Sequence, residues 1–231
     1  IKNCKISNFE YAVSAYRKVS LIENILTKNL YDGAIISNCV EGVFENNIFS
    51  ENAGSGIVFS SSSKNVFNNN TLKSNSRFGL ELGESSLENT FSNNVFIEND
   101  YAGVQLEYAD KNSFFDNNFS SNSRQGIFVF VSDSLVFERN TFSNNFATGI
   151  SLESVSNSLF KENKIISNVI KKSYIYGDDG ISFIDSNNNK LEGNYICFNE
   201  GEDLYFFENS LENLEDKNTC DSRKVSNTKT E

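Results

Sequence analysis

The sequence predicts an all-β protein, a single-stranded right-handed parallel β-helix (a solenoid) of about nine coils of ~23 residues. Three series of marks in one register predict it. A glycine mark runs Gly33, Gly56, Gly79, Gly103, Gly126, Gly149 and Gly180, with Ala12 before it and Asp203 after it. A first Asn mark runs Asn3, Asn24, Asn47, Asn70, Asn94, Asn117, Asn140, Asn163 and Asn194. A second runs Asn8, Asn29, Asn52, Asn75, Asn99, Asn122, Asn145, Asn168 and Asn199. All three begin with a step of 21, continue at mostly 23, and share one step of 31.

The apolar residues keep the same register. Phe44, Phe67, Phe91, Phe114, Phe137 and Phe160 precede the first Asn mark by three, and Phe49, Leu72, Phe96, Phe119 and Phe142 follow it by two. After each glycine, apolar residues alternate, as in Ile127 and Val129 or Ile150 and Leu152. Period-two alternation reads as short strands with one face inward. A unit this short cannot bury its own apolar face, so copies must stack. Stacking at ~4.8 Å per strand puts Phe on Phe and gives a rod about 45 Å long. The Asn columns then form amide ladders. Asn tolerates the left-handed backbone of a sharp turn, and the glycines are expected to relax the same constraint at another corner.

One period throughout makes residues 1–220 a single domain, with 221–231 a polar tail. The chain opens mid-repeat without Met, which reads as a mature or excised piece of a longer precursor. No apolar run is long enough to cross a bilayer. The net charge of −11 argues against nucleic acid and anionic membranes, whose affinity comes from Lys and Arg. His and Met are absent, which removes the commonest general base and the soft copper ligand.

The first coils are the least regular. Cys4 is placed in the slot of Ile25 and Ile48, and Cys39 in a polar turn, so the two thiols are expected to stay apart. In the regular body, Val58, Glu81, Gln105, Phe128, Ser151 and Ser182 form one solvent-facing column. Ser60, Gly83, Glu107, Phe130, Glu153 and Ile184 form the next. Phe128 and Phe130 interrupt this polar face, either as a platform for sugar rings or as packing against a neighbour. With Glu107, Glu153 and Tyr174 they are the candidate ligand-binding residues.

The step of 31 places about eight extra residues in one turn before Gly180, and function in repeat folds gathers on such insertions. This one carries Lys171, Lys172, Tyr174, Tyr176, Asp178 and Asp179. Asp178 and Asp179, with Tyr176 and Lys172, are the candidate catalytic residues. The two Asp are also candidate calcium ligands, calcium being the one cofactor considered, and Asp-Asp-Gly is equally ordinary turn chemistry. Asn218-Thr219-Cys220 repeats the slot of Asn194-Tyr195-Ile196, which sets Cys220 beside Cys197 and predicts a disulfide clamping the last coil. Asn69 and Asn118 begin glycosylation sequons, weak signals in a chain so rich in Asn.

The pattern Asn-x-Phe-x-x-Asn … Gly-Ile-x-Leu … Asn-x-Phe resembles the parallel β-helix repeat family over residues 1–220. That family holds pectate-lyase-like folds, NosD-like periplasmic proteins and surface proteins of archaea and bacteria. The closing Cys197 … Cys220 segment looks like that of secreted archaeal members. Gly177-Asp178-Asp179-Gly180 is similar to the Asp-Asp motif of polygalacturonases, whose later Gly-His-Gly has no counterpart here. Tyr176-Gly177-Asp178-Asp179 resembles the start of the mannuronan epimerase motif without its Pro and His. Pectate lyases pair an Arg base with an acidic calcium cluster, and Arg77, Arg124 and Arg139 show no such cluster in sequence. NosD-like copper maturation lacks a soft ligand beyond Cys. The fold hosts many chemistries. The first expectation is therefore a non-catalytic, exported cell-surface module that is structural, adhesive or carbohydrate-binding. The second is a polysaccharide lyase, epimerase or hydrolase with its site at 171–185. A third, end-to-end self-association through an exposed terminal coil, is motivated by the mid-repeat start.

Overall fold

The computed structural model describes residues 1–169, 177–207, 209–220 and the backbone of 225–227, and every statement below is about these. The alternating segments form three strands per coil, such as Ile127–Phe130, Val136–Glu138 and Thr141–Ser143, and no helix. Each pairs in parallel with its counterparts one coil before and after. Three sheets result. A glycine-led sheet has ten strands, from Val13–Tyr16 to Val225–Asn227. A middle sheet has nine, from Leu21–Ile22 to Leu214–Asp216, and a closing sheet has nine, from Lys5–Ser7 to Tyr195–Cys197. The strand Val225–Asn227 falls in the polar stretch read as a tail and pairs with Leu204–Phe206.

Inward residues stack in register. Phe91, Phe114, Phe137 and Phe160 lie face to face at 4.7, 5.0 and 5.1 Å between centroids, and Phe96, Phe119 and Phe142 at 4.9 and 4.5 Å. These rings are fully buried and supply the main apolar term of the fold.

The corners satisfy the backbone that a stacked rod would strand. Asn94 Nδ2 and its own N–H both donate to Asn117 Oδ1, at 3.0 and 2.9 Å. Asn117 Nδ2 in turn donates to Asn140 Oδ1 (3.0 Å) and to the carbonyl of Phe91 (3.0 Å). The second ladder repeats this from Asn29 to Asn199. Both cross the 31-residue step intact, from Asn163 to Asn194 and from Asn168 to Asn199. A third ladder, unforeseen from sequence, links Asn65, Asn89 and Asn112 and resumes at Asn189 and Asn213. A serine column runs beside it, Ser62, Ser86, Ser132, Ser186 and Ser210 accepting neighbouring N–H groups.

Several expectations are corrected. The left-handed residue at the first corner is the one before the ladder Asn: Asn69 (φ 54°), Asn93 (56°), Asp116 (56°) and Arg139 (55°). The ladder Asn stays outside that region because its side chain must reach the next coil. The marked glycines do not need positive φ either. They are forced by close approach: a Cβ on Gly103 would stand 2.7 Å from the carbonyl oxygen of Gly126 and 3.0 Å from Asn122 Nδ2. In the first coil the register slips by one. Lys5 pairs with Ile25, so Cys4 takes the Asn slot, its N–H donating to Asn24 Oδ1 at 3.0 Å, and Phe9 takes the second. Asn3 and Asn8 fall at the left-handed position instead, with φ of 57° and 66°. Cys4 is exposed and Cys39 buried, both as free thiols. Cys197 and Cys220 form the disulfide, their Cα atoms 5.3 Å apart.

Candidate functional site

The corner before the glycine mark is where the coils differ. The residue just ahead of each glycine runs Asp32, Ser55, Phe78, Ala102, Gln125, Thr148 and Asp179, followed by Glu202, in one column tied by backbone hydrogen bonds. One residue earlier stand Tyr31, Gly54, Arg77, Tyr101 and Arg124, each N–H donating to the carbonyl of the previous coil. Beside them lies the outward face of the glycine-led sheet, with Glu81, Gln105, Phe128, Ser151 and Ser182 in register as expected. Ser151 and Ser182, expected to face solvent, are buried, as is Thr148 at the adjoining corner.

In the middle of this edge is a cavity of about 240 Å³ lined by Phe78, Tyr101, Gln105, Arg124, Gln125 and Phe128. The Arg124 guanidinium lies 3.9 Å above the Tyr101 ring, a cation–π contact. Phe78 meets Tyr101 edge to face at 5.6 Å, and Arg77 lies over Phe78 at 5.4 Å. Arg77 also pairs with Glu81 at 3.8 Å. Burial raises the Glu81 carboxyl above its ordinary range, while Arg77 and a hydrogen bond from Ser55 oppose that shift.

Two coils on, about 10 Å at the strand spacing, is the Asp178–Asp179 pair. Asp179 is buried, and its Oδ1 accepts the N–H of Glu202 at 2.9 Å. Its carboxyl is boxed by two glycines. A Cβ on Gly177 would stand 2.8 Å from Asp179 Oδ2 and 3.2 Å from Thr148 Oγ1. A Cβ on Gly201 would collide with Asp178 Oδ1 and stand 2.7 Å from Asp179 Oδ1. Both carboxylates therefore converge over Gly201, and only glycine leaves them room. Burial, helped by the charges of Asp178 and Glu202, pushes the Asp179 carboxyl up to about 6 against the lowering effect of the Glu202 N–H. A group that exchanges its proton near neutrality is suited to acid–base work.

The other sequence candidates separate. Lys171, Lys172, Tyr174 and Tyr176 lie outside the described residues. Phe128 joins the cavity, whereas Phe130 meets Tyr108 edge to face at 5.9 Å and stacks in register between Glu107 and Glu153. Phe78, Tyr101, Arg124 and Gln125 were not foreseen. Their signal was the break in the corner column, where Arg, Tyr and Phe replace small residues. Among the described residues no group of three or more His, Cys, Asp or Glu is arranged to hold a metal ion. No helix is long and apolar enough to cross a membrane.

No curated protein sequence matches this one. Among solved structures, the mannuronan C-5 epimerase AlgE6 A-module of Azotobacter vinelandii superposes with a TM-score of 0.78 at 15% identity, covering 91% of this chain and 63% of its own. The periplasmic alginate epimerase AlgG gives 0.71 at 16% identity, over 87% of this chain and 50% of its own. Pectate lyase Pel9A gives 0.61 at 14%, over 97% and 70%. The chain thus spans only about half to two thirds of either epimerase, and at these identities the likeness is one of fold. The family description "Right handed beta helix region" matches residues 1–134 and 103–228. With that match over nearly its whole length, the chain belongs to the right-handed β-helix family.

Proposed function

We propose that this protein acts on a polysaccharide laid along the glycine-led edge of the solenoid. The reaction that suits the paired carboxylates is hydrolysis of a glycosidic bond. Such hydrolysis needs one carboxyl that keeps its proton to protonate the leaving oxygen and a second, ionised one. Asp179, buried and held up to about 6, fits the first role. Asp178, beside it over Gly201, fits the second. The observation that carries the reading is their placement on the same edge as an aromatic–guanidinium cavity, two coils from it. Polysaccharide epimerases and lyases among the structural neighbours support the same substrate class. An exported location agrees with the disulfide.

The test is incubation with neutral and acidic polysaccharides, reading new reducing ends. Turnover is expected, falling at least about 100-fold in Asp179→Asn and in Asp178→Asn. A second reading has its own observation. Asp32 Oδ1 accepts the N–H of Ser55 at 2.6 Å, the same contact Asp179 makes with Glu202, so the Asp pair also serves as a turn brace. On that reading the protein is a non-catalytic glycan-binding module. Binding that survives both substitutions, with no turnover on any glycan, selects it.

A further inference from the structure

The outward face of the glycine-led sheet has a second cavity, at the corner opposite the first. It holds about 210 Å³ and is lined by Tyr108, Asp110, Val131, Asp133 and Ser154. The left-handed slot at this corner carries small polar residues in other coils, among them Asn38, Ser61 and Asp185, as turn chemistry favours. In two of the coils that line the cavity it carries Tyr108 (φ 51°) and Val131 (φ 45°) instead, and a β-branched residue rarely takes that backbone. The Tyr108 ring is 47% exposed and meets Phe130 edge to face. Asp110 Oδ1 accepts the N–H of Asp133 at 2.9 Å, and Asp133 Oδ1 accepts that of Ser156 at 2.7 Å. The second oxygen of each carboxylate has no protein donor among the described residues.

The two cavities stand at opposite ends of the same strands. Val104–Glu107 and Ile127–Phe130 run from Gln105 and Phe128, in the first cavity, to the residues just before Tyr108 and Val131, in the second. Phe128 and Phe130 are both half-buried on the outward face, about 7 Å apart along the strand, so an apolar floor joins the corners. A glycan that reaches Asp178 and Asp179 must run along the solenoid axis. One that reaches Tyr108 must cross the sheet at right angles to it. A branch point satisfies both.

Resting on the polysaccharide reading above, we infer that the Tyr108 corner is a branch-binding subsite that takes a neutral sugar. The Tyr108 ring offers a flat apolar surface to the C–H face of the sugar, and the second carboxylate oxygens accept hydrogen bonds from its hydroxyls. The lining holds two carboxylates and no cation, with Glu107 and Glu153 in register on either side of Phe130. An anionic sugar is repelled there, and among the described residues no three acids are arranged to hold a metal ion.

The test is affinity electrophoresis in gels that each hold one polymer: galactomannan, arabinoxylan, each of these with most of its branches enzymatically removed, and a xylan carrying glucuronate branches. A neutral-branched polymer is expected to bind at least about tenfold tighter than its debranched counterpart, and tighter than the glucuronate-branched xylan. Tyr108→Ala should remove that advantage and Tyr108→Phe should keep most of it. Asp110→Asn combined with Asp133→Asn keeps an acceptor for both backbone N–H groups, so the corner stays folded. Its affinity for the neutral-branched polymer should fall while that for the glucuronate-branched xylan rises. Unchanged thermal melting checks that the variants fold. Equal retention by branched and debranched polymers, tightest retention by the glucuronate-branched xylan, or an advantage that survives Tyr108→Ala overturns the inference and leaves the polysaccharide reading standing. No retention and no turnover on any of the polymers overturns both.

Discussion

The two Asn corners and the corner before the glycine face opposite demands. At the Asn corners every coil from Asn24 or Asn29 onward carries the same amide, because each one closes hydrogen bonds for the coil before it. Before the glycine, the same slot holds Asp, Ser, Phe, Ala, Gln, Thr, Asp and Glu in successive coils. Its carbonyls accept the glycine N–H of the previous coil whatever the side chain is, with Asp32 and Asp179 adding a side-chain acceptor, so the side chains are free to differ. Where the repeat is strict the molecule is scaffold, and where one column of a strict repeat varies, chemistry has room.

Substitutions should separate the two. Asn117→Ala removes the acceptor for the Asn94 amide and the donor to the Phe91 carbonyl, all buried. At ~1–3 kcal/mol for each unsatisfied group, the loss is about 4 kcal/mol, read as a drop in denaturant midpoint. Phe119→Ala, stacked between Phe96 and Phe142, should cost about 3–5 kcal/mol. Reducing Cys197–Cys220 opens a loop spanning a sequence separation of 23, worth about 3 kcal/mol. Because neighbours alone sense a coil in a solenoid, faster amide exchange should be confined to the coils near 197–220.

Asp179 gives a smaller effect with a distinctive sign. Its folded value is above its ordinary one, so the folded state holds the proton more tightly. The associated stability is complete below pH 3.8, declines as pH rises, and is gone above about pH 6. At 1.36 kcal/mol per unit of pKa the swing is at most about 3 kcal/mol. Asp179→Asn should therefore gain stability relative to the unmodified protein between pH 4 and pH 7, followed by thermal melting. A gain that shrinks over that range contradicts the burial account. Arg124→Gln gives up, among its contacts, a cation–π contact worth about 1 kcal/mol, and it should weaken glycan binding at the cavity.

The fold was legible because stacking imposes identity. A ladder slot recurs as Asn and a buried ring slot as Phe, Leu or Ile, so the register is written in the sequence. The disulfide was legible for the same reason, Cys220 following from the slot of Ile196. The third ladder was not, since Leu135 and Ser158 interrupt it. The slip of the first coil was hidden because Asn3 and Asn8 continue the spacing while the strands pair Lys5 with Ile25. The cavity was illegible for a deeper reason. Phe78, Tyr101 and Arg124 share no residue type or alternation, and only the corner geometry brings them together.

The central claim, that ligand recognition sits on the variable edge and not on the repeated faces, is tested most directly by amide shift mapping with soluble oligosaccharides of neutral and acidic polysaccharides. The account predicts saturable shifts at 77–81, 101–105, 124–128 and 178–182, with the closing-sheet strands Thr71–Lys73, Val95–Ile97 and Asn118–Ser120 unmoved. Shifts centred on those closing-sheet strands, with the glycine-led edge silent, would contradict it.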